Sequence, residues 1–214
     1  MSTTELLELA RGLAERGYCP GGSGNVSWRD KDVVYISRTG VDLAELTEDD
    51  LVRCEVDWNE FVAVGDFRGA SKEIPMHIAV HARSENQNGF VAHVHSPLGV
   101  AMSCLEPFSG ESAIPPLTPY FVMKVHQVPM VQYAEPGSVS QAREMHEMPS
   151  HVTTFLMQNH GLTAYGSTAG AALGRIQEAE ATAGIWLKIR SQVGQRLLSV
   201  EEVELLRQQY PQIA

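Results

Sequence analysis

The chain carries eight histidines, and two of them, in Val91-Ala-His93-Val-His95-Ser96, have a spacing that chemistry can use. On a strand, residues i and i+2 leave the same face. Both imidazoles would then project side by side, as a His-x-His metal chelate requires. A zinc site needs three or four ligands, with nitrogen at about 2.0–2.1 Å. His160 is a candidate third nitrogen, in a Gln158-Asn-His-Gly161 turn where Gly161 permits backbone conformations closed to other residues. The pair by itself reads equally as two histidines satisfied by hydrogen bonds, and His160 together with Glu73 weighs against that reading. His77 and His81, spaced i and i+4, also share a helical face. The string His77-Ile-Ala-Val-His81 lacks the Glu that follows the first His in a zinc metalloprotease, so structural or surface roles are expected there. His126, His146 and His151 stand singly, and no ligand role is expected of them.

Two short strings, Gly24-Asn25 and Thr39-Gly40, join a flexible residue to a polar side chain at strand–turn junctions. Ser71-Lys72-Glu73 stands just before a helix, whose first N–H groups attract anions. Together they resemble an anion cradle. Neither a Walker loop nor a G-x-G-x-x-G fingerprint is present, and each string taken singly reads as an ordinary turn.

The elements that must position these residues are legible from periodicity. Thr3–Arg16 places Leu6, Leu7, Ala10, Leu13 and Ala14 on one helical face, with Gly17 as a stop. Extended segments follow around 26–28 and 33–36, and Thr47 with Asp50 forms a capping-box variant. Segments 52–56 and 61–64 read as a hairpin joined by Asp57-Trp-Asn-Glu60. A helix is expected from Glu73 to Ala82, with Pro75 in its first turn. Phe90–His95 reads as a buried strand, and Ser96-Pro97 as the cap and first residue of a helix to about Cys104. Segments 152–156 and 162–164 flank the tight turn at His160. Thr168–Gln192 has the strongest helical pattern, and Ser199-x-x-Glu202 announces a last helix. Strands alternating with helices in this way indicate an α/β sandwich.

Composition narrows the partners. In 214 residues, 16 Lys+Arg stand against 26 Asp+Glu, a formal charge of −10. That field disfavours nucleic acid and anionic membranes as partners, yet a local cluster of donors can still hold a small anion. No apolar run approaches the roughly 20 residues of a membrane span. The segment from Met1 to Ala10 lacks the features of a secretory signal. Cys19, Cys54 and Cys104 are odd in number and widely spaced, which fits reduced thiols in a cytoplasmic protein.

Taken in order, Gly24-Asn25-Val26-Ser27, Ser37-Arg-Thr39-Gly40, Ser71-Lys72-Glu73, His93-Val-His95-Ser96 and Asn159-His160-Gly161 resemble the class II sugar-phosphate aldolase/adducin-head family over essentially the whole chain. Ser71-Lys72-Glu73 and Leu117-Thr-Pro-Tyr-Phe-Val-Met-Lys124 look most like its 3-oxo-tetronate 4-phosphate decarboxylase branch. The resemblance implies a three-layer α/β/α sandwich with a mainly antiparallel sheet, a single catalytic domain over 1–214, and a homotetramer with sites at subunit interfaces. It implies one Zn²⁺ per subunit, with Mn²⁺ or Co²⁺ as alternatives, held by His93, His95 and His160. Glu73 would act as acid/base and displaceable ligand, and Tyr120 falls near a catalytic tyrosine that reaches a neighbouring subunit's site. Asn25, Thr39, Gly40, Ser71 and Lys72 fall where the substrate phosphate is held. The implied reaction is decarboxylation of a small phosphorylated sugar acid to dihydroxyacetone phosphate through an enediolate, and the alternative is aldol cleavage of a ketose 1-phosphate such as fuculose 1-phosphate. Glu178 and Glu180 on the long helix are expected on a solvated face.

Overall fold

The structure, a computed structural model, describes residues 3–211. The first helix, α1 (Thr3–Glu15), buries Leu6, Leu9, Ala10 and Leu13, and the chain leaves it through Gly17 at φ +72°. A meander follows: β1 (Asn25–Asp30), β2 (Val33–Ser37), β3 (Leu51–Asp57) and β4 (Val62–Val64). Then come α2 (Ile74–Ala82), β5 (Asn88–Val94), α3 (Pro97–Ser103), α4 (Pro119–Lys124), β6 (Met130–Val131) and α5 (Val139–Glu147). The chain closes with β7 (Thr154–Met157), β8 (Gly161–Gly166), α6 (Ala169–Ile189) and α7 (Val200–Gln209).

The strands form one sheet in the order β4-β3-β2-β1-β5-β8-β7-β6. Its pairs are antiparallel except β6 with β7. Alternation along the strands builds apolar packing on both faces. Phe90, Ala92 and Val94 of β5 pack with α1, α3, α4 and α6 on one face. Val91, between them, packs with Met76 and Val80 of α2 and Met145 of α5 on the other. A sheet so covered is the expected α/β/α sandwich, with α2 lying over the face that bears His93.

Ser96 and Pro97 stand where expected, at the cap and first position of α3, whereas the expectation for Glu180 fails. Ser96 sits at the N-cap of α3, but its hydroxyl does not cap the helix; it donates to Glu180 Oε2 at 2.6 Å. The cap comes instead from Glu180, which accepts from the backbone N–H groups of Leu98 (2.9 Å) and Gly99 (2.7 Å). Glu180 is therefore buried rather than on a solvated helix face. Its charge is offset by three donors and by the positive end of α3. Three elements between 105 and 151 were not foreseen: α4, α5 and β6. Six residues in α4 and two in β6 are too few to display a period. The end of α5 is held from outside, by Arg83, whose guanidinium donates to the carbonyls of Met145, His146, Met148, Pro149 and Val152.

Candidate metal centre

The registers of β1, β5 and β8 set Asn25 beside His93 and His93 beside Thr163, in one row on the face under α2. His95 follows one residue past the end of β5, and His160 stands in the β7–β8 turn. Gly161 matters there for a reason other than the one expected. The left-handed residue of the turn is Asn159, at φ +54°. A Cβ on Gly161 would instead lie 2.2 Å from the carbonyl oxygen of Val94. Only glycine lets the turn close against the end of β5, and that contact brings His160 to the other two histidines.

The three imidazoles converge. Their ring centroids are 5.0 Å (His93–His95), 4.8 Å (His93–His160) and 4.7 Å (His95–His160) apart, and one ligand atom from each lies within 4.8 Å of the others. His93 Nδ1 donates to the carbonyl of Leu162 (3.1 Å) and to Thr163 Oγ1 (3.0 Å). A carbonyl can only accept, so the proton is on Nδ1 and the Nε2 lone pair faces the cluster. His93 Nε2 is 3.1 Å from His95 Nε2. Glu73, the residue before α2, enters from the helix side: Oε2 lies 3.3 Å from His93 Nε2 and Oε1 3.5 Å from His160 Nε2.

Electrostatics keep these groups in ligand form. Burial pushes the His93 imidazole down to about 3, against the opposing pull of Glu73, and burial also lowers His95 and His160. Burial alone would raise the Glu73 carboxyl; His93, the Asn25 hydrogen bond, His160 and His77 outweigh it and hold it down to about 2. Neutral imidazoles and an ionised carboxylate are what a cation requires. Glu73 Oε1 is buried with no hydrogen-bond partner. Tetrahedral ligands at about 2.0–2.1 Å from a cation stand roughly 3.3 Å apart, near the 3.1 Å between His93 and His95 Nε2 and the 3.3 and 3.5 Å from Glu73 to His93 and His160. The residues present thus fit a divalent metal.

Beside the cluster is a cavity of about 160 Å³ whose lining includes Gly24, Asn25, Thr39, Gly40, Ser71, Lys72, Glu73, His95 and His160. All five residues expected to hold the phosphate meet there, drawn from the β1–β2 region and from the start of α2, some thirty residues on. Arg38 and Pro136, not among the expected site residues, also line it. Arg38 was signalled by its place inside Ser37-Arg-Thr39-Gly40. Lys72 and Arg38 are both exposed at this cavity, and Thr39 Oγ1 donates to the carbonyl of Ala70. The Asn25 amide is turned inward, with Nδ2 donating to Glu73 Oε2 at 2.8 Å and Oδ1 accepting from His77. Larger hollows exist, one of about 520 Å³ between α7 and the 108–116 segment, away from the histidine cluster.

Tyr120 does not join the cluster within its own chain. It stands on α4, 61% exposed, with Lys124 Nζ 5.5 Å from its ring. His77 and His81 are fully buried and hydrogen-bonded to Ser27, as structural histidines should be. His126 donates to the carbonyl of Tyr210, His146 packs on Phe61, and His151 is exposed.

Comparison with known proteins agrees with this geometry. Residues 4–187 match the model of the Class II Aldolase and Adducin N-terminal domain. A 3-oxo-tetronate 4-phosphate decarboxylase of Haemophilus influenzae is 33% identical over 201 residues, 94% of this chain and 93% of its own. An L-fuculose phosphate aldolase of Methanococcus maripaludis is 31% identical over 166 residues, 78% of this chain and 85% of its own. The crystal structure of YgbL from Klebsiella pneumoniae superposes with a TM-score of 0.83 at 29% identity, covering 96% of this chain and 97% of that one. The three converging histidines, the carboxylate between them and this match over most of the sequence make the chain a member of the class II aldolase and adducin N-terminal domain family.

Proposed function

We propose that this chain is a metal-dependent lyase that converts 3-oxo-tetronate 4-phosphate to dihydroxyacetone phosphate and carbon dioxide. The observation that carries the proposal is the convergence of His93, His95 and His160 around the Glu73 carboxylate, next to a cavity edged by Lys72 and Arg38. The 33% identity to a decarboxylase of that name, over 94% of this chain, supports the choice of substrate.

The three histidines would hold the metal, which we take to be zinc, with Glu73 as a ligand that substrate displaces. When bound, a divalent cation supplies Lewis-acid stabilisation of the charge left on the substrate oxygens, worth several kcal/mol. Lys72, with Asn25, Thr39, Gly40 and Ser71, holds the phosphate and so orients a reacting carbon several bonds away. Breaking the C1–C2 bond releases carbon dioxide and leaves its electron pair at C2. The reaction of the substrate anion consumes one proton overall, and Glu73 relays it from water to C2. Buried against His93 and fixed by Asn25, the carboxylate is poised for that single transfer. We further take residues 1–214 as one catalytic domain, acting as a cytoplasmic homotetramer in which the exposed Tyr120 serves the site of a neighbouring subunit.

The second reading is aldol cleavage of a ketose 1-phosphate, favoured by the 31% identity to an L-fuculose phosphate aldolase. It leaves electrons on the corresponding carbon of dihydroxyacetone phosphate, so the same residues serve it. Product analysis separates the two. Carbon dioxide and dihydroxyacetone phosphate from 3-oxo-tetronate 4-phosphate, with no aldehyde from fuculose 1-phosphate, is the expected result. The reverse pattern would establish the aldolase, and turnover of neither would refute both.

A further inference from the structure

Beneath the metal cluster, a line of buried polar groups runs through the face between the sheet and α2, and the reaction as proposed makes no use of its far end. Asn25 Nδ2 donates to Glu73 Oε2 (2.8 Å), Asn25 Oδ1 meets His77 Nε2, His77 Nδ1 lies 2.6 Å from Ser27 Oγ, and Ser27 Oγ lies 2.8 Å from His81 Nε2. Every member is buried, His77, Ser27 and His81 completely. Asn25 and Ser27 stand two apart on β1, and His77 and His81 four apart on α2, so a two-residue and a four-residue repeat interdigitate across one interface.

The chemistry of the first member dictates the direction of every bond in the line. An ionised Glu73 can only accept, so the amide nitrogen of Asn25 must face it and the amide oxygen must face His77. His77 Nε2 must then carry a proton, and its Nδ1, in the neutral ring, must accept from the Ser27 hydroxyl. Ser27 Oγ has a lone pair left for His81 Nε2–H. The line ends at His81 Nδ1, which is buried and has no hydrogen-bond partner. Reversing any bond leaves a further buried donor or acceptor unmatched, beyond His81 Nδ1, a cost that keeps the arrangement single. Glu73 Oε2 is anchored by this line, whereas Oε1 is buried, accepts no hydrogen bond and faces only His160 Nε2 at 3.5 Å.

We propose that His77 is a positioning residue for Glu73: through Asn25 it fixes which carboxylate oxygen is tied to the protein and which is left to carry the proton. Ser27 and His81 hold His77 in the one tautomer that can do this. Ligand orientation by outer partners is general at metal sites, and loss of such a partner typically costs about 10–100-fold. His77 never touches the substrate; its effect passes through Asn25.

The inference builds on the lyase reading above, and its test separates the two. The first measurement needs no substrate: nitrogen NMR of the histidine side chains in the full chain. His77 is expected as the neutral Nε2–H tautomer, with a Nε2 proton whose shift moves in Glu73→Gln. An Nδ1–H tautomer, or a Nε2 proton indifferent to Glu73→Gln, overturns the inference whatever the enzyme does. The second uses whichever substrate the wild-type chain turns over. His77→Leu should lower kcat about 10–100-fold with KM and metal content nearly unchanged. His77→Gln, whose amide N–H can stand in for Nε2–H, should recover to within about threefold of wild type. Equal losses in both variants, or a loss in KM or metal content instead of kcat, would overturn it. A wild-type chain that turns over neither substrate refutes the lyase reading, while the tautomer measurement still decides the role of His77.

Discussion

At the scale of single residues, the site is a balance of groups that would repel one another without a cation. Three imidazole nitrogens and a carboxylate oxygen share a volume where ring centroids stand 4.7–5.0 Å apart. His93→Ala/His95→Ala protein, purified without added metal, should therefore contain far less bound zinc than wild type by elemental analysis; equal contents would refute the ligand assignment. Glu73→Gln keeps the shape and the Asn25 contact but cannot relay a proton. It should lower kcat by about 10²–10⁴-fold while circular dichroism still shows a folded chain. Acid should destabilise the metal-free protein. An unfolded imidazole has a pKa near 6.5, whereas burial holds His77 at about 4 in the folded chain. The unfolded state then binds more protons between those values, so stability is complete above about pH 6.5 and falls as the pH drops towards 4. The share of His77 is roughly 3 kcal/mol. Glu73, held at about 2 against 4.5 for the free group, adds a further loss below pH 4.5. Denaturant midpoints across that range should fall with pH in wild type and fall less in His77→Gln.

At the scale of elements, the ligands are brought in by junctions more than by regular structure. His95 is one residue past a strand, His160 is in a turn, and Glu73 is one residue before a helix. What holds such junctions is long-range. Glu180 of α6 fixes the start of α3 by accepting from Ser96, Leu98 and Gly99, and Ser96 follows His95 directly. Glu180→Gln should cost about 1–3 kcal/mol of stability, because a neutral amide is a weaker acceptor and brings a donor into a place with none to match. Thermal unfolding measures it. An unchanged midpoint would mean that the carboxylate does not support α3. The individual elements were legible where a period or a cap was present: α1, the β1–β4 meander, α2, β5, α6 and α7 all fall within a few residues of the expected ranges. The sequence signal for α5 is Ser138 followed by Ala142 and Met145 at helical spacing, and it stands among polar residues; its end is fixed by Arg83, more than sixty residues away, which no local pattern encodes.

At the scale of the whole molecule, Tyr120 is the one proposed site residue that its own chain leaves apart from the histidine cluster. It is 61% exposed on α4 and does not line the cavity beside His95 and His160 in its own chain. If it serves a neighbour in a homotetramer, each site joins Glu73 of one chain to Tyr120 of the next. Glu73→Gln and Tyr120→Phe chains, each impaired alone, should then regain activity when dissociated and reassembled together. Random mixing in equal amounts restores about a quarter of the sites in a cyclic assembly. No gain in the mixture would place the whole site within one chain.

By themselves, the residue types and spacings pointed to a same-face histidine pair, to turns able to hold an anion, and to an α/β sandwich. Each rests on a short-range rule: strand alternation for His93 and His95, helix periodicity for the cores, small and polar residues at turns for the cradle. Tertiary structure alone decided that Gly161 is needed for close approach to Val94, that Glu180 is a buried cap, that Arg38 edges the cavity, and that Asn25 faces Glu73 with His77 behind it. These are contacts between segments tens of residues apart. Local sequence can state which donors and acceptors a residue owns, but only the packed chain states which of them meet.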